Sequence, residues 1–199
     1  MTFRTIALAA LLATAALAQE PAKPVEERAK IDAPVRDFEL VDVMVDEEKR
    51  VKLSELKGKS VVLFFVSDKC QVTWLYEERT GKLIADFRER GVVFLGIRSS
   101  AGDSAQEIRK YCEAKNFDIP VLFDDRNVVA DYFDVTTTPQ YAVIDGEGVL
   151  RYFGACDDLQ VPGKLRLPAE KAEKQYVRLA LEALLQGKAV EVKEAKGYG

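Results

Sequence analysis

The sequence predicts an α/β fold: a central mixed sheet flanked by helices. Three observations carry this expectation. Residues 61–66 (Val-Val-Leu-Phe-Phe-Val) and 92–97 (Val-Val-Phe-Leu-Gly-Ile) are continuous apolar runs, β-branched and aromatic. Runs of that length and composition read as strands covered on both faces. Between them, Trp74, Leu75, Leu83, Ile84 and Phe87 recur at helical spacing across residues 71–90, so strand, helix and strand form a parallel unit. Farther on, residues 141–144 and 149–153 are apolar segments joined by Asp145-Gly146-Glu147-Gly148. A short glycine-containing link makes that pair an antiparallel hairpin. A parallel unit plus an antiparallel hairpin is a mixed sheet.

The remaining elements follow in order. Phe38, Leu40 and Val43 begin an alternation, the acidic stretch Asp46-Glu47-Glu48-Lys49 interrupts it, and Val51 and Leu53 resume it. This is an N-terminal β-hairpin extension ahead of the main unit. Residues 54–58 read as one helical turn, capped by Ser54 and ended by Gly58. Gly81 costs the helix of residues 71–90 about 1 kcal/mol against alanine and is a place for a kink; Gly91 ends that helix. Residues 99–103 form a loop. Residues 104–116 read as a helix with Ile108, Tyr111 and Cys112 on one face. A short strand at 121–123, a short helix at 127–133 and a turn at Thr136-Thr137-Thr138-Pro139 follow. Residues 157–168, with Pro162 and Gly163, read as a loop in which Asp157 and Asp158 are solvated, the alternative being a polar rim or proton acceptor near Cys156. Residues 169–186 read as an amphipathic helix carrying Tyr176, Leu179, Ala180, Ala183 and Leu184.

A chain of 199 residues is enough for one domain of ordinary size. Residues 1–18 read as a signal peptide: Arg4 precedes an apolar run over 6–17, and Ala16-Leu17-Ala18 is a cleavage site. The run falls short of the roughly 20 residues a spanning helix needs, so no transmembrane helix is expected in the mature chain. Export, to the periplasm or the medium, places the cysteines in an oxidising compartment. Residues 19–33 read as a flexible linker, 34–186 as the domain and 187–199 as a mobile charged tail. A net charge of −4 gives no electrostatic footprint for nucleic acid or an anionic membrane. The absence of histidine removes Ser-His-Asp and Cys-His catalysis and histidine metal sites. Cys70, Cys112 and Cys156 have no short metal-ligand spacing. No metal and no cofactor are expected.

Cys70 is the residue on which the chemistry turns. It follows the strand 61–66 after the turn Ser67-Asp68-Lys69 and opens the helix behind it. The carboxyl end of a buried strand is where α/β sheets place ligands, and a helix N-terminus favours a thiolate. Lys69 adds to that effect and Asp68 opposes it. The alternative is a structural cysteine without reactivity. Trp74 and Tyr76 stand close behind, where aromatics either join the core or form a platform for substrate. Cys112 belongs to the packed face of its helix.

The order of elements, the segment "APVRDFELVDV…VKLSELKGKSVVLFFVSDKC" and the segment "TTTPQYAVIDGEGVLRYFGACDD" resemble the thioredoxin fold, and within it the redoxin branch of alkyl hydroperoxide reductase/thiol-specific antioxidant and exported thioredoxin-like proteins. The resemblance runs from about residue 34 to 185. It implies that Thr138-Pro139 is the family's cis-proline segment, packed beside a reactive Cys70 and leaving backbone groups free for a substrate strand. Ser67-x-x-Cys70 resembles the Ser/Thr-x-x-Cys element of peroxiredoxins, where the hydroxyl helps hold the peroxide, which makes Ser67 a substrate-binding candidate; the proline that precedes that element and its facing-strand arginine are absent. The second cysteine of a Cys-x-x-Cys motif is also absent in either register: Thr73 stands there in Cys70-Gln71-Val72-Thr73, and Ser67 in Ser67-Asp68-Lys69-Cys70. In this frame Cys156 returns to the edge that holds Pro139. Two strands separate it from Cys70, about 10 Å, and a disulfide needs α-carbons within about 7 Å. Cys156 is thus either a resolving thiol or a packed loop cysteine.

Two functions follow. One is an exported thiol oxidoreductase in which Cys70 attacks a protein disulfide or a peroxide, with an electron donor the sequence does not name. The other is a non-catalytic thioredoxin-like binding module that has lost the dithiol.

Overall fold

The computed structural model describes residues 27–46, 48–99, 102, 104–115 and 117–199. The expected signal peptide and residues 19–26 of the expected linker lie outside the described residues.

Among the described residues, the strands are β1 (Glu39–Asp42), β2 (Arg50–Lys52), β3 (Val61–Phe65), β4 (Val93–Arg98), β5 (Val121–Phe123), β6 (Gln140–Ile144), β7 (Leu150–Gly154) and β8 (Glu194–Ala195). They form one sheet in the order β2-β1-β5-β4-β3-β6-β7-β8. β3, β4 and β5 run parallel, and β6 joins β3 antiparallel, with Phe65 opposite Gln140. The hairpin β1–β2 attaches to the free edge of β5.

β3 shows why its sequence is apolar without interruption. Val62 and Phe64 face one layer with α1 (Gln71–Arg88) and α4 (Tyr176–Leu185), among Val72, Leu83, Phe87, Val177 and Leu181. Val61, Leu63 and Phe65 face the opposite layer, with Val129, Ala130 and Phe133 of α3 (Val128–Tyr132) and the turn after it. A strand with side chains alternating between two packed layers has no polar position to spare. α2 (Ala105–Ala114) packs Ile108 and Cys112 against Val43 and Val121, and the Ser104–Glu107 capping box fixes its start.

Several details differ from expectation. The turn after β2 is a 3-10 turn, Leu53–Leu56, without a Ser54 side-chain cap. Asp37 instead accepts from the Ser54 N–H, 2.9 Å. The helix expected over 169–186 begins only at Tyr176, behind a 3-10 turn at Ala169–Lys171. Residues 169–175 (Ala-Glu-Lys-Ala-Glu-Lys-Gln) offer no large apolar side chain to the sheet, so helical propensity there has no packing to support it. α1 runs unbroken through Gly81.

The described part of the upstream segment, residues 27–33, and the downstream segment, residues 187–199, are laid on the fold rather than loose. In the upstream one, the Ala29 N–H donates to the Tyr132 carbonyl and Pro34 bridges to Val149. In the other, Val190 is buried and β8 adds to the sheet edge parallel to β7. No helix among the described residues is long and apolar enough to cross a membrane.

Candidate active site

β3 delivers the chain to the turn Ser67-Asp68-Lys69. The Ser67 carbonyl accepts from the Cys70 N–H, 3.2 Å, and the Ser67 hydroxyl accepts from the Lys69 N–H, 3.3 Å. This places Cys70 at the N-cap of α1 with extended backbone. The amides of the first helical turn lack intrahelical acceptors and point at the cap. Across from it, the Thr138–Pro139 peptide is cis, and the Cys70 thiol donates to the Thr138 carbonyl, 3.0 Å.

Opposed influences set the Cys70 thiol. Partial burial pushes its pKa up; the Thr138 side chain, the N–H groups of Thr73 and Val72 and the Thr73 hydroxyl pull it down, and the net value is below that of an ordinary thiol. The Thr138 carbonyl holds the protonated form, and the amides receive the thiolate once the proton leaves. Thr73, marked in the sequence only as the place of a missing second cysteine, is one of these groups. Its hydroxyl is buried without a hydrogen-bond partner of normal geometry, and it is among the groups that lower the pKa of the Cys70 thiol.

Two buried glutamines hold the proline loop. Gln140 Oε1 accepts from the N–H groups of Thr136 and Thr137, 3.0 and 3.1 Å. Gln160 is fully buried. Its Nε2 donates to the Pro139 carbonyl, 2.6 Å, and its Oε1 accepts from the Cys156 N–H, 3.0 Å. An open pocket of about 430 Å³ lies beside Cys70, with Ser67, Lys69, Asn127, Asp131 and residues 136–138 in its walls. Trp74, one turn along α1, is 49% exposed and lies outside those walls. Asp68 does not face the thiol unopposed: Arg98, at the end of β4 and itself buried, donates to it at 2.7 Å.

Cys156 sits behind the proline, not in the pocket with Cys70. It is buried and free, as is Cys112. Burial first, and then the charge of Asp157, push the Cys156 thiol up to about 12, against a smaller opposing influence of the Tyr141 hydroxyl. Its surroundings are a buried polar network. The Tyr76 hydroxyl donates to Asp157 at 2.8 Å, Arg79 Nη1 donates to Asp157 at 2.6 Å, and the hydroxyls of Thr80 and Tyr141 meet at 2.8 Å. Asp157, expected to be solvated, is buried with Arg79 as its counter-ion. Cys156 borders a second cavity with Arg79, Asp157 and Arg178. Cys112 is likewise pushed up by burial, to about 11. The described residues contain no cluster of three or more His, Cys, Asp or Glu suited to a metal.

A mixed sheet with a cysteine at the first turn of a helix, facing a cis-prolyl loop, defines a thioredoxin-like redoxin. Residues 31–153, more than half the chain, match the model of the AhpC/TSA family, and the chain belongs to that family. It is 29% identical over 117 residues to the thiol-disulfide oxidoreductase ResA of Bacillus subtilis (strain 168), covering 59% of this chain and 62% of that protein, less than two thirds of its length. It is 34% identical over 134 residues to peroxiredoxin-2 of Macaca fascicularis, covering 62% and 68%. Among solved structures, an uncharacterized conserved protein from Geobacillus kaustophilus superposes with a TM-score of 0.73 at 25% identity, covering 83% of this chain and 87% of that one.

Proposed function

We propose that this chain is an exported thiol oxidoreductase that works with one nucleophilic cysteine, Cys70, on protein disulfides. One observation carries the reading: a partly exposed sulfur at a helix N-cap whose surroundings favour the thiolate. The thiolate attacks one sulfur of the substrate disulfide. The substrate S–S bond breaks, a Cys70–substrate S–S bond forms, and the departing sulfur leaves as thiolate and takes a proton from water. An external thiol then displaces Cys70, which returns as thiolate while the donor ends in the disulfide. Thr73, where a second cysteine would stand, offers only a hydroxyl and cannot resolve the adduct. A resolving role for Cys156 requires that the core open around a thiol held protonated. Trp74 serves as an outer contact for the docked protein.

A trapping experiment decides between substrates. A Cys156→Ser chain is incubated separately with a disulfide-bearing peptide and with hydrogen peroxide, quenched in acid and mapped by mass spectrometry. A peptide adduct on Cys70 is the expected result. Sulfenic acid on Cys70 without a peptide adduct moves the substrate to peroxide. Cys70 unmodified by both reagents leaves the binding module as the function. Peptide mapping of the native chain after mild peroxide shows whether Cys156 pairs with Cys70; both thiols free removes its resolving role. Export predicts a mature chain beginning at Gln19, read by N-terminal sequencing.

A further inference from the structure

The expected mobile tail lies on the proline loop. β8 runs parallel to β7, with Glu194 beside Phe153 and Ala195 beside Gly154. The Ala155 N–H donates to the Ala195 carbonyl, 2.9 Å. The chain then continues past the end of β7 toward Pro139. Gln160 Nε2 spans the two segments, donating both to the Pro139 carbonyl and, at 3.2 Å, to the Tyr198 carbonyl. Gly199 reaches Thr138 and stands in the wall of the Cys70 pocket.

Glycines make this approach possible from both sides. Gly154 has φ +146°, and a Cβ there would overlap the Ala195 carbonyl. A Cβ at 197 would crowd Gln160 Nε2 at 2.9 Å, and one at 199 would overlap the Thr138 carbonyl. Backbone approaches this close are where a missing side chain is required. The contacted carbonyl is the one that accepts from the Cys70 thiol.

We propose that residues 196–199 are an internal competitor for the strand-binding face of Thr138-Pro139, and that this face takes an extended peptide with glycine across from Thr138. The inference rests on the reading of Cys70 as a nucleophile for protein disulfides, and goes beyond it. A substrate strand must displace the segment before its disulfide meets Cys70. A small reagent enters through the open side of the pocket and need not.

The test compares the full chain, a chain ending at Lys193 and Gly199→Val, with circular dichroism as the fold control. Cys70 is reacted with a peptide disulfide and with iodoacetamide. Shortening and Gly199→Val should each raise the peptide-disulfide rate about tenfold, as removal of a competing state does, and the iodoacetamide rate less than twofold. Equal ratios of the two rates in all three chains overturn the proposal. Binding does not depend on reactivity and is read separately, by anisotropy of a labelled peptide of residues 192–199. The shortened chain should bind it but not the same peptide with Gly199→Val, and the full chain should bind neither. No binding to the shortened chain overturns the proposal even where Cys70 reacts; binding with an inert Cys70 keeps the competitor and removes the nucleophile.

Discussion

Cys70 and Cys156 stand on opposite sides of the Thr138-Pro139 loop, and Gln160 touches both the proline carbonyl and the Cys156 amide. Around Cys70 the polar groups are amides and hydroxyls directed at a partly exposed sulfur, and the thiolate is favoured. Around Cys156, burial first and then the adjacent Asp157 carboxylate oppose ionisation, so the thiol keeps its proton. The helix α1 supplies both environments: its first turn offers N–H groups to Cys70, and its second and third place Tyr76, Arg79 and Thr80 behind the loop. The difference teaches that a cysteine in this fold is governed by how deeply it is buried and by the groups it then meets: amides and hydroxyls favour the thiolate, burial beside a carboxylate the thiol.

Replacing one side of the comparison should have the largest effect. Cys70→Ser should reduce disulfide exchange to the background rate with an unchanged melting temperature, measured by turnover and calorimetry. Breaking the other side should act on stability instead. Asp157→Ala leaves the partly buried Arg79 without its carboxylate and the buried Tyr76 hydroxyl without its acceptor, and should cost about 1–3 kcal/mol by denaturant titration, while the Cys70 alkylation profile stays in place. Alkaline pH sharpens the contrast next. Cys156 has a folded value near 12, above the roughly 8.5 of an unfolded thiol. The folded state therefore holds a proton that the unfolded state has lost, and stability should fall as pH rises above about 8.5. Denaturation midpoints at pH 7.5 and 10 measure this, and Cys156→Ala should flatten the decline. The smallest change is expected for Thr73→Val. It removes a buried hydroxyl without a normal partner, so stability should hold, while the alkylation midpoint of Cys70 rises by about one pH unit or less.

The sheet was legible because burial on two faces leaves an unbroken apolar run, as at residues 61–66, and because a Thr-Pro turn ahead of a hairpin is a sharp signal. The position of Cys70, at the strand-to-helix junction, was legible. What escaped is polar and buried. Gln140 and Gln160 look like surface residues to any periodicity, and nothing local shows that Arg79 and Asp157, 78 positions apart, meet in the interior. Thr73 was noticed for the cysteine it is not. Residues 187–199 read as mobile because their charges suggested solvent. The glycines at 197 and 199 were the overlooked sign, since they permit close backbone contact as readily as disorder.

The central claim is tested most directly by the rate of Cys70 alkylation against pH in the native chain, with the other two thiols counted after unfolding. A midpoint below the ordinary thiol value of about 8.5, with one thiol reacting before unfolding and two after, is the predicted result. A midpoint at or above that value, with slow reaction of Cys70, would contradict it.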